Sequence, residues 1–197
     1  MQKRLPDDRE AIEGAGLASA NAARLLAGAD LLAGAGHYGM ARSMAVLAME
    51  ESVKARTLGA IAASAYGGQL FVDEEVLGTI VYGGHRVRHN FGFLQHVAAT
   101  FPDAYGKVML GMFPDAQDVA KIARLRELLA EANSAKQVGF YTDFDPGSGS
   151  WASPASVTEV EFAEMRGLIS DYVTETQRQF DEFTETQTLA ARASTGT

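Results

Sequence analysis

The chain contains no cysteine among its 197 residues. Disulfide bonds, thiolate nucleophiles and cysteine-type zinc sites are therefore excluded, and a reducing compartment is allowed. Long apolar runs are also missing, because no segment approaches the roughly 20 residues that cross a bilayer. The first ten residues, MQKRLPDDRE, lack the apolar stretch of a secretory signal. We therefore expect a cytoplasmic protein with no membrane partner.

Positive charge is the next scarce feature. Seventeen basic residues stand against 25 acidic ones, which gives a net charge of −8. This balance opposes non-specific binding to phosphate backbones and anionic lipids, so we expect no DNA partner, and any RNA contact needs a local basic cluster. Apolar residues make up 47% of the chain and charged residues 21%, a composition typical of a globular protein that folds by itself.

Apolar residues recur at three- and four-residue steps over most of the chain, which predicts an all-α fold. From Asp8 to Ala33 they form one helical face rich in alanine. After a Gly34-Ala35-Gly36 turn, a second helix follows, so the two helices should form an antiparallel hairpin. Its predicted seam consists of Met40, Met44, Leu47, Glu51, Lys54, Leu58 and Ile61, with Ala41, Ala48, Ala55 and Ala62 beside it.

The remaining helices are predicted from caps and breaks. Asp73 is the expected cap of a short helix between Gly67-Gly68 and Gly83-Gly84, and a further helix spans about residues 85–100. Asp115 has the chemistry of an N-cap for a helix that runs toward Asn133. Thr158 and Glu161 have the spacing of a capping box at the start of a long last helix.

One long loop is predicted, from Lys136 to Ser156. It carries five glycine or proline residues together with Phe140, Tyr141, Phe144 and Trp151, so we expect an ordered lid rather than an idle linker. We predict a single domain over residues 1–192, followed by a frayed tail at 193–197.

Two charges interrupt the apolar seam of the second helix. Glu51 and Lys54 occupy seam positions, and Glu50 lies four residues before Lys54, within side-chain reach. One interpretation is a self-satisfied ion pair on a partly exposed seam. The other is that Glu50, Glu51 and Lys54 form the polar floor of a functional site, because buried charges gather at such sites.

The second polar cluster is His85-Arg86-Val87-Arg88-His89, followed by His96. On a helical wheel the three histidines form one stripe opposite Val87, Phe91, Leu94 and Ala98. The stripe is therefore expected to face solvent, a second subunit, an anionic ligand or the lid. A metal between this stripe and Glu50 or Glu51 is a further alternative, but no HExxH motif accompanies it, and we predict no metal.

Arg86 and Arg88 form the densest cationic cluster of this acidic chain, and Lys136 is placed to join it from the loop. A guanidinium group binds phosphate through two hydrogen bonds, so a small phosphate or RNA site is one hypothesis, and solvated arginines paired with Glu50 or Glu51 are the other. The glycine-rich nucleotide loops and the nucleophile elbow of hydrolases are absent, and we expect no cofactor.

Three segments, taken in order, resemble the AbiV-type abortive-infection family of the HEPN superfamily. They are ARSMAVLAMEESVK at 41–54, HRVR at 85–88, and KQVGFYTDFD at 136–145 leading to Trp151 and Pro154. The resemblance implies a HEPN-like bundle of long antiparallel helices. It also implies that Glu50, Glu51 and Lys54 meet His85 and Arg88 across the bundle. Lys136, Tyr141 and Asp143 would close that site.

The resemblance leaves two functional interpretations. The first is a phage-defence protein that binds RNA or a translation-related partner through this polar site without turnover. The second is a metal-independent ribonuclease in which His85 is the general acid or base and Arg88 or Lys54 stabilises the transition state, with Glu51 in the same site. Many HEPN proteins resemble metal-independent ribonucleases that use an arginine and, after four to six intervening residues, a histidine, and no such pair occurs here. We therefore favour the binding protein, and we expect a homodimer formed through the first helix or the histidine stripe.

Overall fold

The computed structural model describes residues 4–65, 74–83, 85–147 and 149–195. Within them the chain is almost entirely helical, as predicted. The elements are α1 (Asp8–Gly34), α2 (Tyr38–Ala65), α3 (Glu74–Tyr82), α4 (His85–Thr100), α5 (Pro102–Met109), α6 (Ala116–Phe140), β1 (Asp143–Asp145), β2 (Ser150–Ala152), a 3-10 turn (Pro154–Ser156) and α7 (Glu159–Thr195).

The predicted antiparallel hairpin of α1 and α2 is confirmed. A capping box starts α1, because Glu10 N–H donates to Asp7 at 2.9 Å and Asp7 N–H donates to Glu10 at 3.0 Å. Gly36, with a φ of 79°, makes the turn between the two helices. The buried side of α1 is mostly alanine, which lets α2 approach closely: Ala11, Ala15, Ala18, Ala22 and Ala29.

Helix α2 is the central element, since it packs on α1, α4, α6 and α7. The predicted seam is confirmed in part: Leu58 and Ile61 are buried, and Met44 and Leu58 lie against Gly28 and Gly14 of α1. Met40 is exposed and Glu51 is only half-buried, whereas the alanines beside the seam are fully enclosed. The fully buried carboxylate of α2 is that of Glu50, next to the seam.

The loop predicted from Lys136 to Ser156 is shorter than expected. Helix α6 continues through Lys136 to Phe140, and an ordered β-hairpin follows, in which Phe144 is paired with Trp151. The aromatic side chains of this hairpin are exposed, so it does not pack as a lid. Helix α5, with Pro102 in its first turn, was not predicted.

The predicted helix starts have two different outcomes. Thr158 and Glu161 form the predicted capping box of α7, with backbone-to-side-chain hydrogen bonds of 2.8 and 3.3 Å. Asp115 precedes α6 in extended conformation, but its carboxylate accepts from Lys107 Nζ at 3.0 Å and does not cap the helix. The predicted cap Asp73 and the breaks at Gly67-Gly68 and Gly84 lie outside the described residues.

The chain ends in α7, which runs to Thr195. The domain boundaries at 1–192 and 193–197 stay a prediction. In the part of the chain described above, none of the helices combines the length and the hydropathy that spanning a bilayer requires.

Candidate functional site

A carboxylate, an ammonium group and an imidazole from three helices meet in the interior. Glu50 Oε1 on α2 accepts from Lys136 Nζ on α6 at 3.0 Å and lies 2.9 Å from His89 Nε2 on α4. The three residues are 2%, 7% and 5% exposed. We call them the Glu50 cluster. Because a buried charge is stable only when it is paired, the cluster ties α2, α4 and α6 together at one point.

Small residues bring Lys136 to Glu50. A Cβ atom at Gly139 would lie 1.9 Å from Ser43 Oγ and 2.2 Å from the Gly39 carbonyl oxygen, so only glycine allows this approach of α6 to α2. Ser43 Oγ also donates to the Lys136 carbonyl at 2.9 Å. The contact therefore fixes the last turns of α6, from which Lys136 reaches inward.

Helix α4 runs beside α2 in the same direction. Two contacts show this: His89 meets Glu50, and Gly92 packs on Val53. One turn further along both helices, Gln95 and Arg56 line the same cavity. A Cβ at Gly92 would lie 2.9 Å from the Val53 side chain, so glycine again permits the approach.

This placement corrects the predicted histidine stripe. His89 and His96 are buried, and Leu94, which belongs to the predicted apolar face, is exposed. The helical-wheel prediction for α4 depends on the hydrophobicity of its faces alone. The histidines face inward because Glu50 accepts from His89 and the ring of Tyr172 packs on that of His96, with ring centroids 5.4 Å apart.

His85 and Lys54 do not lie at the same level of the bundle. His85 precedes His89 by four residues, and Lys54 follows Glu50 by four. With a rise of 1.5 Å per residue, their backbones are separated by roughly 12 Å along the helix axes. The side chains of His85 and Arg86 are outside the described residues. Glu51 and Lys54 are half-buried and make no hydrogen bond or ion pair with any residue that the structure describes.

Arg88 stabilises the end of α3. Its guanidinium group donates to the carbonyl oxygens of Ile80 and Val81, both at 3.2 Å. These carbonyls are in the last turn of α3, where helices leave acceptors without partners. Arg88 thus contacts a neighbouring helix end, and the predicted contact with Glu50 or Glu51 is absent from its described interactions.

Tyr141 and Asp143 lie on the surface beyond the end of α6. Both are exposed, and the Tyr141 ring packs edge-on against Phe140 with centroids 6.5 Å apart. The two residues therefore do not close over the Glu50 cluster. Of the predicted site residues, the structure brings Glu50 and Lys136 together, with His89 as their third member.

The HEPN_AbiV family model, described as AbiV, matches residues 10–174. The chain belongs to the AbiV family of HEPN proteins. Neither the curated proteins nor the solved structures include a significant match to it.

The AbiV match spans the Glu50 cluster and every helix from α1 to the middle of α7. In this AbiV chain the expected arginine and histidine spacing is missing: two residues separate Arg86 from His89, and seven separate Arg88 from His96. Within the described residues, no group of three or more His, Asp or Glu side chains is arranged to hold a metal ion.

Sequence reasoning missed a second polar group of this AbiV chain, further along α2 and α4 than the Glu50 cluster. Tyr172 is fully buried and its hydroxyl donates to Gln95 Oε1. The Arg56 guanidinium lies 5.2 Å from the centre of the Tyr172 ring. Burial raises the pKa of Tyr172 and lowers the pKa of His96, and the charge of Arg56 adds to the lowering at His96. The sequence feature that indicates this group is Arg56 itself, a charged side chain on α2, two residues after Lys54.

Proposed function

We propose that this AbiV-family protein acts in abortive infection by binding a translation-related protein partner or RNA, without catalytic turnover. The observation that carries the proposal is the enclosure of the Glu50 cluster. Lys136 and His89 both contact Glu50 Oε1 in the interior, where a polynucleotide cannot reach them. A general acid or base must come within hydrogen-bond distance of its substrate, so this arrangement supports a structural role for the cluster.

The ribonuclease alternative depends on His85. His89 and His96 are buried, and Arg88 is engaged by the α3 carbonyls. A catalytic pair of His85 with Lys54 would have to bridge the separation along the bundle described above. These features favour binding over RNA hydrolysis.

The hairpin after α6 is the recognition face we assign to the binding function. Phe144 and Trp151 pack edge-on with ring centroids 5.5 Å apart, and both are exposed, as is Tyr141. Exposed aromatic side chains are typical of protein interfaces and of surfaces that stack RNA bases. Asp143 is exposed beside them. This acidic residue and the net charge of −8 favour a basic protein partner over RNA.

We further propose that the predicted site residues Glu51, Lys54, His85 and Arg86 contact the bound partner, and that two copies of the chain pair. The two predicted dimer faces are the first helix, whose outer side carries the exposed Leu17 and Leu31, and the histidine stripe. The alanine face of α1 is buried against α2, and His89 and His96 are internal. A large apolar surface remains at the end of α5 and in the segment after it, and it consists of Val108, Met109, Leu110, Met112 and Phe113. Apolar patches of this kind mark protein interaction sites, so we place the dimer contact there.

Expression in cells tests the recognition face. We expect the wild type to arrest growth, and Phe144→Ser combined with Trp151→Ser to abolish the arrest while the melting temperature stays the same, because both side chains are exposed. Leu17→Ser, an exposed apolar residue on α1, is the matched control and should retain the arrest. Full arrest by the hairpin variant would contradict the assignment.

Incubation with total RNA tests the catalytic alternative. Purified wild type in a metal-free buffer should leave the RNA intact. Cleavage by the wild type that is lost in His85→Ala or Arg88→Ala would replace the binding proposal with the ribonuclease.

A further inference from the structure

A cavity of about 390 Å³ lies between α2 and α7, away from the Glu50 cluster. One part of its wall is apolar and contains Ala60, Ala63 and Phe180, and the other part contains Arg56, Gln95 and Gln179. Small-molecule sites commonly have this size and this combination of an apolar wall with a few polar groups.

Arg56 is the most unusual residue of the cavity wall. Its Nη1 atom is buried without a hydrogen-bond partner, and its guanidinium group forms no ion pair with any described residue. One face of the group rests on the Tyr172 ring. A partly buried cation usually has a carboxylate partner, since desolvation of an unpaired charge is unfavourable. An anion bound in the cavity would supply the missing partner.

The acidic residue next to Arg56 is already engaged. The pKa of Glu175 is lowered chiefly by its hydrogen bonds with Arg178, which measure 2.6 and 2.9 Å, and Gln179 donates to it at 2.6 Å. The charge of Arg56 is a minor cause of that lowering. Glu175 therefore compensates Arg56 only partly, and this end of the cavity keeps a positive potential.

Gln95 adds an oriented donor beside the guanidinium. Its Oε1 accepts from the Tyr172 hydroxyl, which fixes the orientation of the amide. The amide nitrogen then makes no hydrogen bond with the residues that the structure describes. A guanidinium and an amide N–H on the wall of one cavity are complementary to the oxygens of a phosphate or a carboxylate.

We propose that this cavity binds a small anion with an aromatic body, with its phosphate or carboxylate at Arg56 and Gln95 and its ring against Phe180. The proposal concerns a different part of the molecule from the hairpin and does not depend on the proposed function. The bound anion is the charge partner of Arg56. Its ring covers part of the apolar wall of the cavity, which is thereby removed from contact with water.

Gly59 allows the cavity to be filled without touching its charged end. It lines the cavity, and a Cβ added there would meet nothing within 4 Å. Gly59→Leu therefore places an isobutyl group in the cavity and keeps Arg56. The matched control is Gly167→Leu on α7, where an added Cβ also meets nothing within 4 Å and the cavity is not involved.

The experiment is calorimetric titration of the full chain with 1-naphthyl phosphate and 1-naphthoate, with neutral 1-naphthol and inorganic phosphate as partial probes. We expect the wild type and Gly167→Leu to bind one or both naphthyl anions at least tenfold more tightly than either partial probe. Gly59→Leu should weaken that binding at least tenfold. The Arg56→Met variant should bind the naphthyl anions no more tightly than it binds neutral 1-naphthol. Circular dichroism checks that this variant is folded.

Two results would overturn the proposal. One is the absence of binding of either naphthyl anion to the wild type at millimolar concentration. The other is equal affinity of Gly59→Leu and the wild type, which would place the bound anion elsewhere on the surface. Because Gly59→Leu keeps the guanidinium, its result is decisive even if Arg56→Met does not fold.

Discussion

Lys136 lies in the interior with its ammonium group 3.0 Å from Glu50 Oε1, and His89 contacts the same oxygen. Because Lys136 and His89 share the same oxygen of Glu50, the pairing of each residue depends on the other two. The Glu50 cluster is therefore more sensitive to the loss of one member than to the joint replacement of several, because a single loss weakens the pairing of a charge that stays in the interior.

Lys136→Met should lower the free energy of unfolding by about 3–5 kcal/mol, since it leaves the Glu50 carboxylate buried without its ammonium partner. Urea unfolding measures this difference. Lys121→Met, at an exposed position of the same helix, is the control and should change the value by less than about 0.5 kcal/mol. A Lys136→Met variant as stable as Lys121→Met would show that the cluster does not stabilise the fold. Glu50→Leu combined with Lys136→Leu should be less destabilised than Lys136→Met.

His96 should make the fold less stable as the pH falls. Burial lowers the pKa of His96 in the folded chain, with Asp171 opposing the shift and Arg56 adding to it. Below the ordinary histidine pKa of about 6.5, the unfolded chain therefore binds a proton that the folded chain does not. The stabilisation is complete above that pH and decreases as the pH falls toward the lower folded value.

The measurement is the free energy of unfolding in urea at pH 7.5 and pH 5.5. His96→Gln cannot titrate and should show a smaller decrease between these pH values than the wild type. The exposed His37→Gln is the control and should behave like the wild type. An identical decrease in His96→Gln and the wild type would contradict the prediction.

At the scale of the element, the position of α6 is set by glycine. Gly139→Ala places a methyl group 1.9 Å from Ser43 Oγ and should lower the free energy of unfolding by about 1–3 kcal/mol, as overpacking does. Gly167→Ala, on an open helical surface, should raise it by up to about 1 kcal/mol through helix propensity. Thermal unfolding of both variants checks the pair. Similar shifts of the two melting temperatures would mean that α6 can move away from α2 without loss.

Helix α6 also shows where element prediction fails. The sequence places its end near Asn133, because the glycine and proline residues further along indicate a loop. The helix instead continues to Phe140 through Gly139. The contact with α2 stabilises this last part and outweighs the unfavourable propensity of glycine.

At the scale of the whole molecule, the apolar surface after α5 carries the dimer proposal. Phe113 is 95% exposed and Leu110 is 77% exposed. Light scattering should give a molar mass near twice 21.0 kDa for the wild type at micromolar concentration. Leu110→Ser combined with Phe113→Ser should give the monomer mass. Leu31→Ser, equally exposed at the end of α1, should leave the dimer intact, and a monomeric wild type would contradict the proposal.

The sequence by itself determined the all-α class, the α1–α2 hairpin, the span of α4 and the capping box of α7. These features depend on residues three or four positions apart and on local hydrogen bonds, which are readable along one segment. The AbiV resemblance also followed from the sequence, and the family match over residues 10–174 confirmed it.

Only the tertiary structure decided which charges are buried and with which partners. Glu50 and Glu51 are adjacent, and α4 and α6 pack on the side of α2 that carries Glu50. His85 and His89 are one turn apart, and the parallel run of α4 beside α2 brings the second to Glu50. Both choices depend on contacts between helices distant in the sequence. The spacing within a single helix does not contain that information.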